Sequence, residues 1–406
     1  VPEKSWLDLL VSSTSELESP RRFYYWAGIA AISAIVKKNV WLDKFSYRLF
    51  PNVYVLLVSA KTGLRKGQPV SDIKGIVERV NNTRIISGRN SVQGVIKELS
   101  QQITVIKQGE PPLIYSDAQA FLCAPELDSF MVKDEQGLSI LVDLYNTHEN
   151  NKEWKNTLKS SPVEALKNPC ITFLAASNEA LLNGLIRDKD IEGGFMARTM
   201  IVHESKKQGS NSLMFRPNNL MSRDDLANDL KRLRDVKGEF TIPFEVRKWH
   251  DEWYHEMGKG DYGDDKTGTM ERIQDHILKT SMLISLARSN DLIIDQSVME
   301  EATDACMECV VGTRKTTAGG GRAESADAAG RVLRVLLEQP EFMVERSKLL
   351  RLLKNDVNVM MLNMVLDDLG DNGKCTVRAK RIDGKVYYQL KEEIAETYKN
   401  FKKEIN

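Results

Sequence analysis

The chain has 406 residues, 42% of them apolar and 28% charged, with 57 basic and 57 acidic side chains. This composition is that of an ordinary globular protein and excludes collagen-like, coiled-coil and wholly disordered classes. A formal net charge of zero means that any nucleic-acid contact must come from a local basic surface, and the length leads us to expect two or three folding units.

The chain begins Val1-Pro-Glu-Lys with no methionine, cleavable signal or lipidation motif, as expected of a segment of a longer cytoplasmic protein. Five scattered cysteines are expected to be free thiols in a reducing compartment. Helical spacing of apolar residues from Ser5 to Val40, broken at Ser19-Pro-Arg-Arg22, predicts two helices. The apolar stretch Tyr24 to Val36 is far short of the roughly 20 residues that span a bilayer, so it reads as a buried helix with no membrane role.

Val53 to Ser59 is a short, β-branched, uniformly apolar run, the pattern of a strand buried on both faces of a parallel sheet. Similar runs follow at Thr83 to Ile86, Ala120 to Ala124, Ile171 to Ala176 and Thr199 to His203, separated by helical patterns such as Ser91 to Gln101. That alternation predicts an α/β core.

The first run leads into Ser59-Ala-Lys-Thr-Gly63-Leu-Arg65-Lys66-Gly67-Gln68 and a helix from about Pro69. Strand, glycine loop, lysine and helix are the parts of a P-loop, in which backbone N–H groups cradle phosphate oxygens and the lysine reaches the β and γ phosphates. Against G-x-x-x-x-G-K-[ST] only Lys66 matches, because Ala60, Arg65 and Gly67 replace the two glycines and the magnesium-binding hydroxyl. The alternative is an ordinary strand-to-helix turn with an exposed Lys-Arg pair.

An ATPase also needs an acid at the end of a neighbouring strand. Leu113 to Ser116 runs into Asp117 and Ala120 to Ala124 into Pro125-Glu126, so either acid is a candidate. Glu126 is preferred for orienting water, with Asp117 in reserve on the metal side, and Pro125 stands where an aspartate is usual. The competing reading of Glu126 is a helix-start acid stabilised by the dipole. Asn146 to Ser161 carries His148, Lys152, Trp154, Lys155 and Lys159, basic and aromatic residues that suit a DNA strand, although Glu149 and Glu153 cancel part of the charge. Ile171 to Ala176 ends in Ser177-Asn178, a polar step able to sense a γ-phosphate. Arg198, just before the next strand, is placed to act on a neighbouring subunit's nucleotide or to form a surface ion pair.

Downstream, Lys206 to Asn218 and Gly258 to Thr269 read as loops, Ile273 to Arg288 as an amphipathic helix and Gln296 to Thr313 as another. Thr316-Thr-Ala-Gly-Gly-Gly-Arg322 is the best linker. Beyond it, helices at Asp327 to Leu337, Glu345 to Leu352 and Val357 to Leu369 precede two short strands joined by Arg381-Ile-Asp-Gly384. The order resembles a winged helix, a fold that binds DNA or docks proteins. Lys374, Arg378, Lys380, Arg381 and Lys385 crowd its hairpin and favour phosphate contact.

Gly63-Leu-Arg-Lys-Gly, Ala124-Pro-Glu-Leu-Asp-Ser-Phe, Ala175-Ala-Ser-Asn, Gly193-Gly-Phe-Met-Ala-Arg and His276-Ile-Leu-Lys-Thr-Ser-Met-Leu-Ile-Ser-Leu-Ala resemble the phage and plasmid replication P-loop ATPases found with primase domains. That helicase-like family tolerates an arginine before the loop lysine, and the resemblance covers about residues 5 to 315. With the winged helix, the plan is similar to AAA+ ring helicases of the minichromosome-maintenance kind.

The resemblance implies a homo-oligomeric ring, hexameric in the manner of such helicases, that hydrolyses ATP with Mg2+ to translocate on single-stranded or forked DNA. It further implies partnership with a primase or replication-initiation protein of a mobile element. In this reading Gly63, Arg65, Lys66, Gly67 and Gln68 hold the nucleotide, Glu126, Asn178, Arg198 and Asp117 serve catalysis, and Lys152, Lys155, Lys159, Lys380, Arg381 and Lys385 meet DNA. The expected divisions are a helical segment (1–50), an AAA+-like parallel-sheet core (51–205), a helical lid (206–315), a linker (316–325) and the winged helix (326–406). The other reading is a nucleotide-gated DNA-binding or loading module with little hydrolysis, favoured by Gly67 and Pro125. Cys306 and Cys309 lack partners for a zinc site. His250 and His255, five apart on a helix, diverge too far to share a metal and are expected at the surface beside core tryptophans.

Overall fold

The computed structural model describes residues 4–395 apart from 61, 107–111, 128–129, 131–136, 147–152, 157–163, 180–181, 183–193, 210–216, 260–266, 354–358, 371–375 and 393. The chain divides into two compact units, Val1–Thr316 and Thr317–Asn406. In the first, Ser5 and Asp8 form a capping box that starts α1 (Trp6–Ser13), and Pro20 precedes α2 (Arg21–Val36). Every residue of α2 from Trp26 to Val36 is buried, as an all-round apolar helix must be. Gly28 admits α1 at close range, since a Cβ there would stand 2.7 Å from Leu7 Cδ2.

A hairpin of β1 (Val40–Asp43) and β2 (Arg48–Leu49) leads to β3 (Tyr54–Ser59), α3 (Gly67–Val80), β4 (Arg84–Ser87) and α4 (Val92–Ser100). Next come β5 (Ile103–Val105), β6 (Leu113–Tyr115), β7 (Gln119–Ala124), α5 (Gly137–Tyr145), β8 (Glu153–Asn156), β9 (Glu164–Lys167), β10 (Cys170–Asn178) and β11 (Thr199–Glu204). Five of these strands form an all-parallel sheet in the order β11-β3-β10-β7-β4. They are the five apolar runs of the sequence, each within a residue or two of its expected bounds.

The run ending at Asp117 differs: β6 pairs antiparallel with β5 outside this sheet. Three apolar residues, one of them Ile114 at 55% exposure, form a short edge ribbon instead of a buried strand.

Side chains alternate across the sheet. Val55, Leu57, Cys123, Leu174, Ala176 and Val202 pack under α2 and α3, whereas Tyr54, Leu56, Val58, Leu122, Phe173 and Ile201 pack under α4 and α5. Helices therefore flank both faces, as a parallel sheet requires. Then follow α6 (Arg223–Leu230), β12 (Gly238–Glu239), α7 (Phe244–Lys259), α8 (Ile273–Arg288) and α9 (Gln296–Glu338). The helices expected to form a lid share the core of α2 and α3 through Leu226, Leu230, Ile277 and Met282. Within α8, expected to be amphipathic, every residue from His276 to Ala287 is buried.

The stretch Thr316 to Arg322, expected as a linker, is helical backbone inside α9. In the second unit β13 (Met343–Glu345), α10 (Arg346–Leu353), α11 (Val359–Leu369), β14 (Val377–Ile382) and β15 (Lys385–Leu390) enclose a small core of Val332, Leu336, Leu349, Leu366 and Leu390. The strands are antiparallel in the order β13-β15-β14, and Asp383 and Gly384, at φ 47° and 79°, make the tight hairpin turn. Among the described residues no helix is long and apolar enough to cross a membrane.

Candidate functional site

In the parallel sheet β3 lies between β10 and β11, and the chain leaves it by α3 towards β4 at the far edge. The last strand returns on the other side of β3, so the connections part company at its carboxyl end. In open α/β sheets ligands bind outside the carboxyl ends of the strands at such a switch point. In register there, Asn178 of β10 and Glu204 of β11 both stand opposite Ser59.

The loop after Ser59 is tied down on several sides. Ala60 donates its N–H to the Glu204 carbonyl at 3.1 Å, and Ser19 Oγ donates to the Arg65 carbonyl at 3.0 Å. Arg65, at φ 48°, turns its exposed side chain to Glu18. Lys207 reaches the same carboxylate at 3.0 Å, and the two cations hold the Glu18 carboxyl below its ordinary range. Arg65 thus fastens the loop to the segment between α1 and α2. Gly63 is exposed, while Gln68 turns along α3 and donates to Asp72 Oδ1 at 3.0 Å.

Lys66 occupies the N-cap of α3, with no side-chain cap and no acid in the first turn. The positive end of the helix is therefore not answered by a local carboxylate. The Lys66 side chain is 9% exposed, and its Nζ meets Glu126 Oε1 at 3.3 Å; Glu126 itself is 52% exposed. Gly67 lies against Pro125, since a Cβ on it would stand 3.2 Å from the Pro125 carbonyl oxygen and 3.4 Å from Pro125 Cβ. The two departures from the familiar pattern, a glycine for the hydroxyl and a proline for the acid, are in contact. Ser59 Oγ, fully buried at the end of β3, has no hydrogen-bond partner among the described residues.

Further charged groups at this edge were not singled out in the sequence. Glu179, next to Asn178, bonds His203 Nε2 on β11, and Arg22 of α2 joins Glu204 at 3.0 Å and Glu308 of α9 at 2.9 Å. They come from segments far apart in the chain, and no local motif connects them.

The other candidate residues lie elsewhere. Asp117 precedes β7, so it stands at the amino edge of the sheet, where its Oδ2 accepts from Asn168 Nδ2 at 3.1 Å and Gln119 Nε2 at 3.4 Å. Asn168 Oδ1 in turn accepts from buried Lys38 at 2.9 Å. Arg198, just before β11, is also at the amino edge; it is 8% exposed and donates to the Gly194 carbonyl at 2.9 Å. Burial, with Arg272 next in effect, lowers its pKa. Lys66 and Glu126 thus meet, and Asn178 lies at the same edge of the sheet, whereas Asp117 and Arg198 lie at the opposite edge.

Of the expected DNA-facing hairpin, His148, Lys152 and Lys159 fall outside the described residues. Trp154 on β8, opposite Leu166 of β9, is partly buried and packs against the sheet core. Lys155 is exposed and bonds Glu153 at 3.1 Å. In the second unit Arg378, Lys380, Arg381 and Lys385 are exposed along the β14–β15 hairpin, with Lys385 near Glu345 at 3.4 Å; Lys374 falls outside the described residues.

Among the described residues no three His, Cys, Asp or Glu side chains converge as metal ligands, and Cys306 and Cys309 are buried free thiols. His250, expected at the surface, is 7% exposed and stacks on Trp253 with ring centroids 5.7 Å apart. Burial pushes its pKa down to about 4. In comparisons with known proteins, the chain matches no family model and no curated sequence.

Proposed function

We propose that the chain binds ATP at the carboxyl edge of its parallel sheet and uses hydrolysis to drive movement on DNA, as a replicative helicase of a mobile element working in a homo-oligomeric ring. One observation carries the reading: a nearly enclosed lysine at the N-cap of α3 faces a half-exposed glutamate across the switch point, at 3.3 Å.

The chemistry follows from the two exposures. A half-exposed carboxylate holds a lysine weakly, by about 0–1 kcal/mol. A polyphosphate offers Lys66 more charge and also meets the uncapped helix start, so it displaces Glu126. Once displaced from Lys66, the Glu126 carboxylate can orient and deprotonate a water aimed at the γ-phosphate, with Asn178 one strand away to hold that water or the phosphate. Mg2+ would be held at this edge by the nucleotide's own oxygens and water, because magnesium commonly takes few protein ligands, and would neutralise charge on the transferred phosphoryl group. Gly67 has no hydroxyl for it and Pro125 no carboxylate. Arg198, buried at the opposite edge of the sheet, takes no part in this site, and the exposed basic hairpin of the second unit, taken as a winged helix, contacts DNA backbone.

The contact of Gly67 with Pro125 favours the second reading, a nucleotide-gated DNA-binding module with little turnover. ATP turnover with and without single-stranded DNA separates the two, in the parent, Lys66→Ala and Glu126→Gln. The motor requires DNA-stimulated turnover that both substitutions abolish. Nucleotide binding without turnover, lost in Lys66→Ala, would select the gated module. No nucleotide binding in the parent would sink both.

A further inference from the structure

Alternation along a strand decides which side chains of the second unit share a surface. Across the β13-β15-β14 sheet, Val344 and Ala379 both stand in register with Tyr388, and Val377 with Leu390. Val344, Val377 and Leu390 are buried and Tyr388 packs on the same core, its hydroxyl accepting from Arg346 at 2.9 Å. That face looks inward. The opposite face therefore carries Glu345 from β13, Arg378 and Lys380 from β14, and Lys385 and Tyr387 from β15.

The same alternation divides the basic cluster of the hairpin. Arg381 stands opposite Val386, on the inward side where the strand has run past the core, whereas Arg378, Lys380 and Lys385 are exposed on the outer face. Tyr387, partly exposed, has Lys380 directly opposite on one side and Glu345 on the other. Glu345 is the only carboxylate on these three strands, and it is engaged by the Ser347 hydroxyl at 2.5 Å and by Lys385 at 3.4 Å. Arg378 and Lys380 form no ion pair with any described residue.

Lysine on an edge strand can serve to stop a sheet from growing, and β14 is such an edge. That role is met by charge alone and gives no reason for a partly exposed ring between the cations. Unpaired positive charge calls for an anion, and a flat ring beside it calls for a planar partner. Nucleic acid supplies both, and only an unpaired base can stack, because bases within a duplex are covered by their neighbours. An acidic peptide would satisfy the cations and leave the ring unused.

We propose that the outer face of the β13-β15-β14 sheet seats single-stranded DNA, with one unpaired base stacked on Tyr387 and the neighbouring phosphates held by Arg378 and Lys380. The inference rests on the reading that the second unit meets DNA and does not involve the Lys66 site. It moves the contact from the hairpin tip to the sheet face, and it leaves Arg381 outside.

The test is fluorescence anisotropy of the full chain without nucleotide, using a labelled oligothymidylate and a duplex of the same length over a range of salt. The single strand should bind at least about threefold tighter than the duplex. Tyr387→Leu should weaken single-strand binding about fivefold or more, the scale of one lost stacking contact, while Tyr387→Phe, which keeps the ring, stays within about twofold of the parent. Lys380→Gln should lower the slope of log affinity against log salt by about 0.7, the share of one phosphate contact on a single strand. Arg381→Gln should change affinity less than Lys380→Gln does. Thermal unfolding shows that each variant is folded, and the exposed Lys380 carries the test if Tyr387→Leu is not. Indifference to Tyr387→Leu or to Lys380→Gln, equal losses in the leucine and phenylalanine variants, or duplex bound as tightly as the single strand would overturn the proposal. If binding falls with Arg381→Gln alone, the second unit still meets DNA and this face is wrong, whereas no binding by the parent sinks both. Absence of ATP turnover would bear on the Lys66 site and on neither of these.

Discussion

The two edges of the parallel sheet are built on opposite terms. At the carboxyl edge one enclosed lysine meets one half-exposed glutamate beside an uncapped helix start, while Arg22 pairs with Glu204 and Arg65 with Glu18. At the amino edge Arg198, Arg272, Lys279 and His276 are crowded into a largely buried cluster whose carboxylates, Asp143 and Asp275, are outnumbered. The first arrangement is loose enough to exchange partners, as a turnover site requires. The second stores unfavourable electrostatics in a rigid setting. A parallel sheet separates the two because all its strands end on one side.

The largest expected effect breaks the comparison if it fails. Glu126→Gln should lower ATP turnover by about 100-fold or more, the scale of losing a positioned base, while nucleotide affinity changes little. Steady-state turnover and equilibrium binding on the same preparation check it. If turnover is unchanged, the carboxyl edge is not where chemistry happens.

Next in size is a backbone contact that anchors β11, the strand following Arg198. Gly312 of α9 lies under it, and a Cβ there would stand 2.5 Å from the Ile201 carbonyl oxygen and 3.3 Å from His203 Cβ. Backbone cannot swing aside, so Gly312→Ala should destabilise by about 1–3 kcal/mol, read by urea denaturation of the parent and the variant.

The pH dependence sharpens the contrast further. His276, pushed down by burial to about 4, lies below its ordinary value of 6.5, so the unfolded chain binds more protons between those limits. Stability must rise with pH across that window and be lost as pH falls through it. His250, also at about 4, adds to the same slope. Lys279, pushed down by burial to about 7 from an ordinary 10.5, gives the same sign between about pH 7 and 10. Melting temperature should therefore climb with pH from 7 to 9 in the parent and climb less in Lys279→Met. An equal climb would remove Lys279 as a source of stored charge.

Much of this arrangement was legible in the sequence because buried strands announce themselves. Five short apolar runs became the five strands of the sheet, and Lys66 was marked by its place after the first. What a linear reading could not supply was which end of a strand a flanking residue occupies once a neighbouring run fails to join the sheet. Leu113 to Tyr115 reads like a strand leading into Asp117, but it pairs with β5, and Asp117 then belongs to the beginning of β7. Trp154 carried the letters of a stacking platform, and only its pairing opposite Leu166 turns it inward. The glycines at 319–321 read as a linker by composition, yet flanking helix carries the backbone through them. His276 and Lys279 stand in a stretch that carries the family resemblance, yet nothing in the sequence marks them as buried, because a polar residue on an apolar helix normally marks a solvent face, and α8 has none over that stretch.

The smallest expected effect is at Asp117, and it tests whether the edge or the residue type decides function. Asp117→Asn keeps the shape and an acceptor for Asn168 Nδ2, and it removes a charge from a network that ends on Lys38. Asn168 keeps a neutral acceptor, so the cost should be about 1 kcal/mol of stability, the difference between a hydrogen bond to a charged acceptor and one to a neutral acceptor. ATP turnover per folded molecule should stay within about twofold of the parent, in contrast to the loss expected from Glu126→Gln. A loss at Asp117 as large as that at Glu126 would mean that the amino edge takes part in the chemistry, through a nucleotide held on another copy, and the division of labour between the two edges would fall.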